Sequence, residues 1–276
     1  MCYVMHNGHP LYFPKGEKEV FVRWLYRYAI EDDDIMGNGY RQCSPHAYQS
    51  ERYHIEKGDV LIDAGGGRGL SSTDVLGEVV DDLTDKVSEV LFKQIHDEAK
   101  DDIGVDVGSA RGLLALDVID KVSKVYMVEH APRWWKPIEA TFAPYKDKVE
   151  LMKGTLAGKK KKKAKEEETQ EKKKRKLRLA DLLEKCGQQR VFVAMDLEGK
   201  ELEVLSDAQE YLRAAKNPIT LAVCAYHHPT DYENLKCFFE GIGYHTETQP
   251  GYIYTDMYDD HGIHSLRKGI IRASNF

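Results

Sequence analysis

Residues 105–113 decide the fold class: Val105-Asp106-Val107-Gly108-Ser109-Ala110-Arg111-Gly112-Leu113 is a glycine-rich turn between a short apolar strand and an amphipathic helix. It is followed by Val125-Tyr126-Met127-Val128-Glu129, a second apolar strand that ends in an acid. Asp106 and Glu129 are 23 positions apart, close to the roughly 20 residues that lead to the ribose-binding acid of a nucleotide-binding βαβ unit. The spacing predicts a nucleoside site with Glu129 as the ligand of the ribose hydroxyls.

An earlier copy of the glycine motif lies 43 positions upstream, in Asp63-Ala64-Gly65-Gly66-Gly67-Arg68-Gly69-Leu70. Only one copy can form the turn of a single βαβ unit. The earlier copy follows the better strand, Val60-Leu61-Ile62, whereas the later copy is followed by a helix and by the acid-tipped strand at the right distance. The distance to Glu129 favours the later copy as the turn that holds the ligand. A reversed assignment would give that role to Gly65.

The segment between the two motifs is predicted to be a helical insertion over about 66–104. Residues 72–100 carry nine apolar side chains on one helical stripe, behind a Ser-Ser-Thr-Asp start that can cap the helix. On this interpretation 60–63 is the central strand, and the chain returns at Ile103 to deliver the second motif. The stripe must cover the body of its own subunit or another copy of the chain, so a homo-oligomer through 72–100 is one expected arrangement.

The formal net charge of −6 is unevenly distributed along the chain. Residues 159–176 hold eleven Lys and Arg against four Glu, which leaves the rest of the chain at −13. An acidic body argues against a general nucleic-acid surface. The basic segment has no aromatic side chain to stack on a base, so 157–176 is interpreted as a lysine-rich insertion that is disordered or a frayed helix.

Cysteine usage and hydropathy indicate the compartment. The five cysteines are scattered, odd in number and without a Cys-x-x-Cys pair, so neither a disulfide framework nor a zinc knuckle is indicated. The N-terminal residues do not have the pattern of a signal peptide, and no uncharged apolar run reaches 18 residues. We therefore expect a soluble, cytoplasmic protein without membrane contact.

Strand and helix patterns alternate along the rest of the chain, which predicts the α/β class with a mostly parallel sheet. An Asn-Gly turn between apolar residues predicts a hairpin over 3–13, and 18–30 has the periodicity of an amphipathic helix. We expect 1–55 to form a hairpin and helix extension and 56–276 to form the main domain. Further strands are expected at 148–152, 191–196, 219–226, 252–258 and 269–273, and further helices at 113–122, 132–142, 177–183, 200–215 and 232–241.

In an open parallel sheet, ligands bind outside the carboxyl ends of the strands, so polar residues there are candidates for function. These positions hold the glycine turn, Glu129, the acids Asp196 and Glu198, and the pair His227 and His228. A carboxylate and an imidazole beside a nucleoside site suit proton removal from an acceptor hydroxyl. Alternatively, Asp196 caps the following helix and His228 is an ordinary loop residue. Two acids without further spaced ligands are a weak metal signal, so no metal site is predicted.

The order of these motifs resembles the FkbM-type S-adenosylmethionine-dependent methyltransferases. One matching stretch includes Asp196 and Glu198, at the place where the family typically has Asp-Ile-Glu-Gly-Ala-Glu. The resemblance covers nearly the whole chain except 64–105 and 157–176. The matching stretches are Ser44-Pro45-His46, Glu56-Lys57-Gly58-Asp59-Val60, Asp106-Val107-Gly108-Ser109-Ala110-Arg111-Gly112, Tyr126-Met127-Val128-Glu129, Met195-Asp196-Leu197-Glu198-Gly199-Lys200-Glu201, Ala225-Tyr226-His227 and Leu266-Arg267-Lys268-Gly269-Ile270-Ile271-Arg272-Ala273.

The resemblance implies a seven-stranded Rossmann-like methyltransferase fold with helices on both faces of the sheet. It also implies methyl transfer from S-adenosylmethionine to a hydroxyl oxygen of a sugar or small metabolite. The catalytic candidates are Asp196, His227 and Glu198, with Asp196 or His227 as the base. The candidate cofactor-binding residues are Asp106, Gly108, Ser109, Gly112, Glu129 and Gly65.

The chain departs from the family pattern in its doubled glycine motif, in its two insertions and in Lys200, where the family commonly has Ala. These departures bear on which loop binds the cofactor and on whether activity is retained. The alternative function is a nucleic-acid-associated binding protein that keeps the fold without catalysis, which the lysine run and the disturbed cofactor loop motivate.

Overall fold

The computed structural model describes residues 1–6, 8–14, 48–65, 112–158, 175–248, 253–255 and 265–276. Several predicted features lie outside these ranges and stay predictions. They are the helix at 18–30, the helical insertion with its expected oligomer surface at 72–100, the residues Asp106, Gly108 and Ser109, and the lysine-rich residues 159–174.

The chain begins with the predicted hairpin. Strand β1 (Cys2–His6) pairs antiparallel with β2 (His9–Phe13), and His6 opposite His9 leaves a two-residue turn between them. The hairpin packs on the following domain through β2, where the rings of Phe13 and Trp134 meet edge to face at 6.3 Å. The backbone N–H of Tyr12 also donates to Thr141 Oγ1 at 2.9 Å.

A seven-stranded sheet forms the body of the protein. The strands are β3 (Val60–Gly65), β4 (Lys124–Glu129), β5 (Val149–Lys153), β8 (Val191–Asp196), β9 (Ile219–Cys224), β10 (His245–Thr248) and β13 (Ile270–Ser274). Their order across the sheet is β10-β13-β9-β8-β3-β4-β5, and every strand is parallel to the others except β13, which runs antiparallel to both its neighbours. With helices on both faces, this is the predicted seven-stranded Rossmann-like α/β fold.

Shorter elements complete the described residues. Two pairs of short strands lie outside the main sheet: β6 (Thr155–Leu156) with β7 (Lys176–Leu177), and β11 (Ile253–Thr255) with β12 (Ser265–Arg267). No helix in the described part of the chain is long and apolar enough to cross a membrane. The helices are α1 (Leu113–Asp117), α2 (Pro132–Thr141), α3 (Leu179–Cys186), α4 (Glu201–Asp207), α5 (Gln209–Ala214) and α6 (Asp231–Gly241).

Apolar side chains cover both faces of the sheet, because successive residues of a strand point to opposite faces. In β8, Val191, Val193 and Met195 pack in a core cluster with α3 to α6. Phe192 and Ala194 pack on the other face with α1, α2 and β2. All the side chains of β8 and β9 are buried. A strand covered on both faces needs a continuous apolar run, and this is the pattern from which the strand at 191–196 is predicted.

The structure differs from the predicted secondary structure at five places. The helix expected at 113–122 ends at Asp117, and the helix expected at 200–215 divides at Ala208 into α4 and α5. Leu177 belongs to a strand, so the helix expected from 177 begins at Leu179. The segment predicted as a strand at 252–258 pairs outside the main sheet, as β11 with β12. The edge strand β10, which was not predicted, takes the place beside β13.

The two glycine motifs contribute to one βαβ unit. The strand that pairs with β4 is β3, which ends at Gly65 in the earlier motif. The helix that precedes β4 is α1, which begins directly after Gly112 in the later motif. The interpretation of 60–63 as the central strand is therefore correct: β3 ends at Gly65, and the described structure resumes at Gly112, the last glycine of the later motif.

Packing accounts for a glycine at position 112. Gly112 has φ +71°, and a Cβ atom there would lie 2.6 Å from Cε2 of Phe142 and 2.8 Å from Cε of Met127. Both neighbouring side chains are buried in the core cluster that contains α1 and α2. The residue therefore combines a backbone conformation that favours glycine with a position that has no room for a side chain.

Replacing Gly112 by Ala should lower the free energy of unfolding by about 2 to 4 kcal/mol, from left-handed backbone strain and overpacking together. Gly243→Ala is the matched control, since Gly243 has φ +86° and no atom within 4 Å of an added Cβ. It should cost only the backbone term of about 1 to 2 kcal/mol. Urea unfolding measures both variants, and equal losses would show that the contacts with Phe142 and Met127 have no energetic weight.

Candidate functional site

Three candidate residues lie side by side at the carboxyl end of the sheet. Gly65, the last residue of β3, is paired in register with Asp196, the last residue of β8. On the other side of β3, Ala64 is paired with Val128, so Glu129 follows at the same level as Gly65. Neighbouring strands are about 4.8 Å apart, so the backbones of Asp196 and Glu129 are roughly 10 Å apart with Gly65 between them.

Glu129 is a buried carboxylate, with 1% of its surface exposed. Its Oε1 accepts a hydrogen bond from the backbone N–H of Ala131, and Nδ1 of His130 lies 3.6 Å from the same oxygen. The backbone carbonyl of Glu129 accepts a hydrogen bond from Nε1 of Trp135 at 3.0 Å. These contacts hold the end of β4 against the start of α2 and fix the carboxylate at the edge of the sheet.

The predicted catalytic residues come together around the ring of His227. Its Nε2 lies 3.1 Å from Oδ1 of Asp196 and 4.0 Å from Oε2 of Glu198. Its Nδ1 faces a third carboxylate, Oε1 of Glu201, at 3.3 Å. Asp196, Glu201 and His227 are buried, whereas the side chain of Glu198 is 33% exposed. The four side chains are named the His227 cluster below.

Glu201 was missed at the sequence level as a site residue. It is the first residue of α4, and its Oε1 accepts a hydrogen bond from the backbone N–H of Leu197 at 2.6 Å. The carboxylate therefore reaches back over the turn that joins β8 to α4 and contacts the imidazole at Nδ1, the nitrogen that does not face Asp196. The usable signal was the last Glu of the motif Asp196-Leu197-Glu198-Gly199-Lys200-Glu201, which also ends the corresponding family motif.

An arginine side chain fixes the backbone of the loop after β9. Nη1 of Arg267 donates to the carbonyl oxygens of Tyr226 at 2.7 Å and His227 at 2.8 Å. The rings of Tyr226 and His227 lie 4.5 Å apart, and the hydroxyl of Tyr226 donates to Oδ2 of Asp196 at 3.5 Å. Both the backbone and the ring of His227 are thus fixed in position.

A buried thiol lies behind the cluster. Sγ of Cys224 is 3.8 Å from the hydroxyl of Tyr48, which belongs to the segment before β3. Burial, with a further contribution from the charge of Asp196, raises the pKa of the Cys224 thiol well above its usual value. The thiol is therefore neutral at physiological pH and serves as an apolar support for the site.

The turn that carries Glu198 has an unusual backbone. Glu198 has φ 54°, and it is the only non-glycine residue with positive φ in the described ranges. The next residue, Gly199, has φ +81°, and a Cβ there would lie 2.3 Å from Nε2 of His228. The turn is therefore pressed against the loop after β9. Backbone strain at a non-glycine residue is commonly retained where function needs a fixed side-chain direction.

Two carboxylates determine the charge of His227. Burial alone would lower the pKa of the imidazole, but hydrogen bonds and charges of Asp196 and Glu201 outweigh it and raise the pKa from 6.5 to about 11. In the protein without bound ligands, His227 is therefore an imidazolium at neutral pH. An imidazolium has no free ring nitrogen to accept a proton, so the proton acceptors of the cluster are its carboxylates.

The structure separates the predicted site residues into groups. Asp196, Glu198 and His227 form one cluster, next to Gly65 and across the sheet edge from Glu129. Gly112 directly precedes α1, where it packs against the buried side chains of Phe142 and Met127. The remaining candidates, Asp106, Gly108 and Ser109, lie outside the described residues.

Several solved structures resemble this chain at low sequence identity. A methyltransferase FkbM from Methylobacillus flagellatus is 16% identical with a TM-score of 0.45, over 80% of this chain and 44% of its own length. The chain thus spans less than half of that protein. A precorrin-6y C5,15-methyltransferase from Geobacter metallireducens is 11% identical with a TM-score of 0.39, over 80% of each chain. A precorrin 8w decarboxylase from Methanobacterium thermoautotrophicum is 14% identical with a TM-score of 0.38, over 99% of this chain and 95% of its own.

No protein-family model and no curated protein matches the sequence. We draw no functional conclusion from structural similarities at this level. Membership of the FkbM family, which the motifs suggest, stays a prediction.

The pKa of His227 predicts a pH-dependent contribution to stability. Because the pKa is higher in the folded state than the unfolded value of 6.5, the contribution is complete below pH 6.5 and is lost as the pH rises towards 11. Between pH 7 and 8.5 the folded imidazole keeps its proton and the unfolded one does not. The free-energy difference between wild type and His227→Gln should therefore shrink by about 1.4 kcal/mol per pH unit.

Urea unfolding of both proteins at pH 7.0, 7.5, 8.0 and 8.5 measures this difference, and the comparison cancels the titration of the other histidines. A difference that stays constant over this range would show that His227 is not held as an imidazolium.

Proposed function

We propose that the chain is an enzyme that transfers a methyl group from S-adenosylmethionine to a hydroxyl oxygen of a sugar or small metabolite. The observation that carries the proposal is the arrangement at one edge of the sheet. A buried acid, Glu129, stands on one side of the tip of β3, and the His227 cluster stands on the other. A nucleoside site and a proton-accepting site thus adjoin the same strand end, where ligands of open α/β sheets bind.

The cofactor side of this proposal rests on Glu129 and the glycines. A carboxylate has about four acceptor positions, so Glu129 can hold the N–H of Ala131 and still accept hydrogen bonds from ribose hydroxyls. Gly65 at the tip of β3 has no side chain to obstruct the approach of a ligand to the backbone. The sequence adds Asp106, Gly108 and Ser109 to the proposed cofactor-binding set, whereas packing against Phe142 and Met127 accounts for Gly112.

Methyl transfer to a hydroxyl requires two things of the protein: alignment of the acceptor oxygen with the methyl group, and removal of the hydroxyl proton. The methyl group of the sulfonium cofactor is already activated, so the protein must hold the acceptor oxygen in line with it. The hydroxyl proton must leave as the oxygen attacks. We assign its acceptance to the carboxylates of Asp196 and Glu198, because His227 is cationic in the ligand-free protein. Glu198 is the partly exposed member of the pair and the one that an incoming acceptor can reach.

The proposed acceptor is a hydroxyl group of a sugar or small metabolite. A hydroxyl acceptor suits the carboxylates at the site, and the sugar or small metabolite comes from the family resemblance. The net charge outside 159–176 is −13, which favours a small acceptor over a polyanionic nucleic acid. The alternative of a nucleic-acid-associated protein depends on the lysine-rich residues, most of which lie outside the described ranges.

Isothermal titration calorimetry with S-adenosylmethionine tests the cofactor assignment. Glu129→Gln should weaken binding at least about tenfold, because two hydrogen bonds to ribose would lose their charged acceptor. The amide oxygen of Gln can still accept the N–H of Ala131, which protects the fold. Glu139→Gln is the control, since Glu139 is an exposed acid on α2 that pairs only with Lys153 in the described structure. It should bind as the wild type does.

An absence of binding by the wild type at millimolar cofactor would contradict the proposal, as would equal affinities of the two variants. Mass spectrometry of a panel of hydroxylated sugars and metabolites, incubated with enzyme and cofactor, then identifies the acceptor by the gain of one methyl group. Asp196→Asn should reduce this gain without changing the affinity for the cofactor.

A further inference from the structure

The ring of His227 is contacted on its two nitrogens by different carboxylates. Nδ1 faces Glu201 at 3.3 Å, and the N–H of Leu197 fixes the same carboxylate oxygen. Nε2 faces Asp196 at 3.1 Å and Glu198 at 4.0 Å. In protein metal sites, a ligating histidine usually gives its second N–H to a carboxylate, which fixes the tautomer and the ring orientation. Glu201 is in the position of that outer carboxylate.

Distances within the cluster fit a bound ion. Carboxylate and ring atoms of Asp196, Glu201 and His227 all lie within 4.8 Å of one another, so Glu201 is close enough to orient the ring of a ligating His227. Two ligands bound at right angles to an ion at about 2.1 Å are roughly 3 Å apart, and Oδ1 of Asp196 lies 3.1 Å from Nε2 of His227. The two nitrogens of an imidazole point in diverging directions, so one ion cannot use both. An ion on Nε2 therefore takes Asp196 and leaves Glu201 on Nδ1.

The strained turn brings a third carboxylate to the same side of the ring. Glu198 lies on the Nε2 side of the ring, its carboxylate is partly exposed, and its backbone has φ 54°. The contact between Gly199 and His228 leaves this turn little freedom. Glu198 therefore combines a constrained backbone with a partly exposed carboxylate 4.0 Å from Nε2 of His227. Its exposure also provides the route by which an ion from solvent reaches the buried part of the cluster.

The local charge is complementary to a divalent cation. Asp196, Glu198 and Glu201 contribute three negative charges around His227, and Arg267 below the loop contributes one positive charge. A cation on Nε2 of His227 would therefore lie among three carboxylates, and it would take the place of a proton on that nitrogen.

We propose that the protein binds one divalent cation through Asp196, Glu198 and Nε2 of His227, with Glu201 as the positioning residue on Nδ1. One imidazole and two carboxylates suit Mn²⁺ and similar divalent ions. Three protein ligands leave further coordination positions for water or for oxygen atoms of another molecule. Cation binding does not depend on the proposed methyl transfer. It therefore can be measured without S-adenosylmethionine, and either proposal can fail alone.

Titration of the metal-free, untagged full chain with Mn²⁺, followed by the electron paramagnetic resonance signal of the free ion, tests the site. We expect one saturable site. Glu198→Gln should weaken it at least tenfold, and Glu201→Gln by roughly 10- to 100-fold, as for other outer carboxylates. Glu203→Gln is the control, because Glu203 lies in the first turn of α4, away from the cluster, and accepts a hydrogen bond from Gly158. It should bind Mn²⁺ as the wild type does.

Electron spin echo spectroscopy of bound Mn²⁺ identifies the histidine directly, through a coupling to one imidazole nitrogen. The coupling should be present in the wild type and in the Glu203→Gln control. A lack of saturable binding at millimolar Mn²⁺ would overturn the proposal. So would a bound ion without nitrogen coupling, or an affinity that Glu198→Gln leaves unchanged, because the ion would then be held by surface carboxylates elsewhere. Since Glu198 is partly exposed, that variant tests the proposal even if substitutions at His227 fail to fold.

Discussion

The pairing of β3 with β4 on one side and β8 on the other is the constraint on which the rest of the structure depends. The register of these pairings places Gly65, Glu129 and Asp196 at the same level along the strands, although the three residues come from separate parts of the sequence. A register shift of one residue would move side chains to the opposite face of the sheet and bury the wrong ones. The burial of both faces therefore fixes the geometry of the candidate site together with the fold.

Continuous apolar runs and turn signals were sufficient to predict most of the sheet. β8 and β9 are buried on both faces, so their sequences carry a clear pattern, and the Asn-Gly turn of the N-terminal hairpin is a purely local signal. β10 could not be found in this way. Its sequence, His245-Thr246-Glu247-Thr248, has no apolar residue, and it is a strand because β13 provides hydrogen-bonding partners at the sheet edge.

The candidate site could be predicted where strand ends determine it. Asp196, Glu198 and His227 follow neighbouring parallel strands, so the topology alone brings them together. Glu201 comes from a helix, and its approach to the imidazole depends on the path of the intervening turn, which the sequence does not reveal. Gly112 was predicted as a site residue, but core packing explains it. A glycine in a ligand-binding motif and a glycine required by packing look the same in a sequence.

The buried thiol of Cys224 allows local opening of the sheet to be measured by alkylation. A neutral, inaccessible thiol does not react with alkylating reagents, since the thiolate is the reactive form. Labelling of Cys224 therefore requires the sheet to open beside the His227 cluster, whereas the exposed Cys237 on α6 can react without any opening. The ratio of the Cys224 labelling rate to the Cys237 labelling rate therefore measures how often the sheet opens beside the His227 cluster. Both cysteines are native, so no substitution is needed.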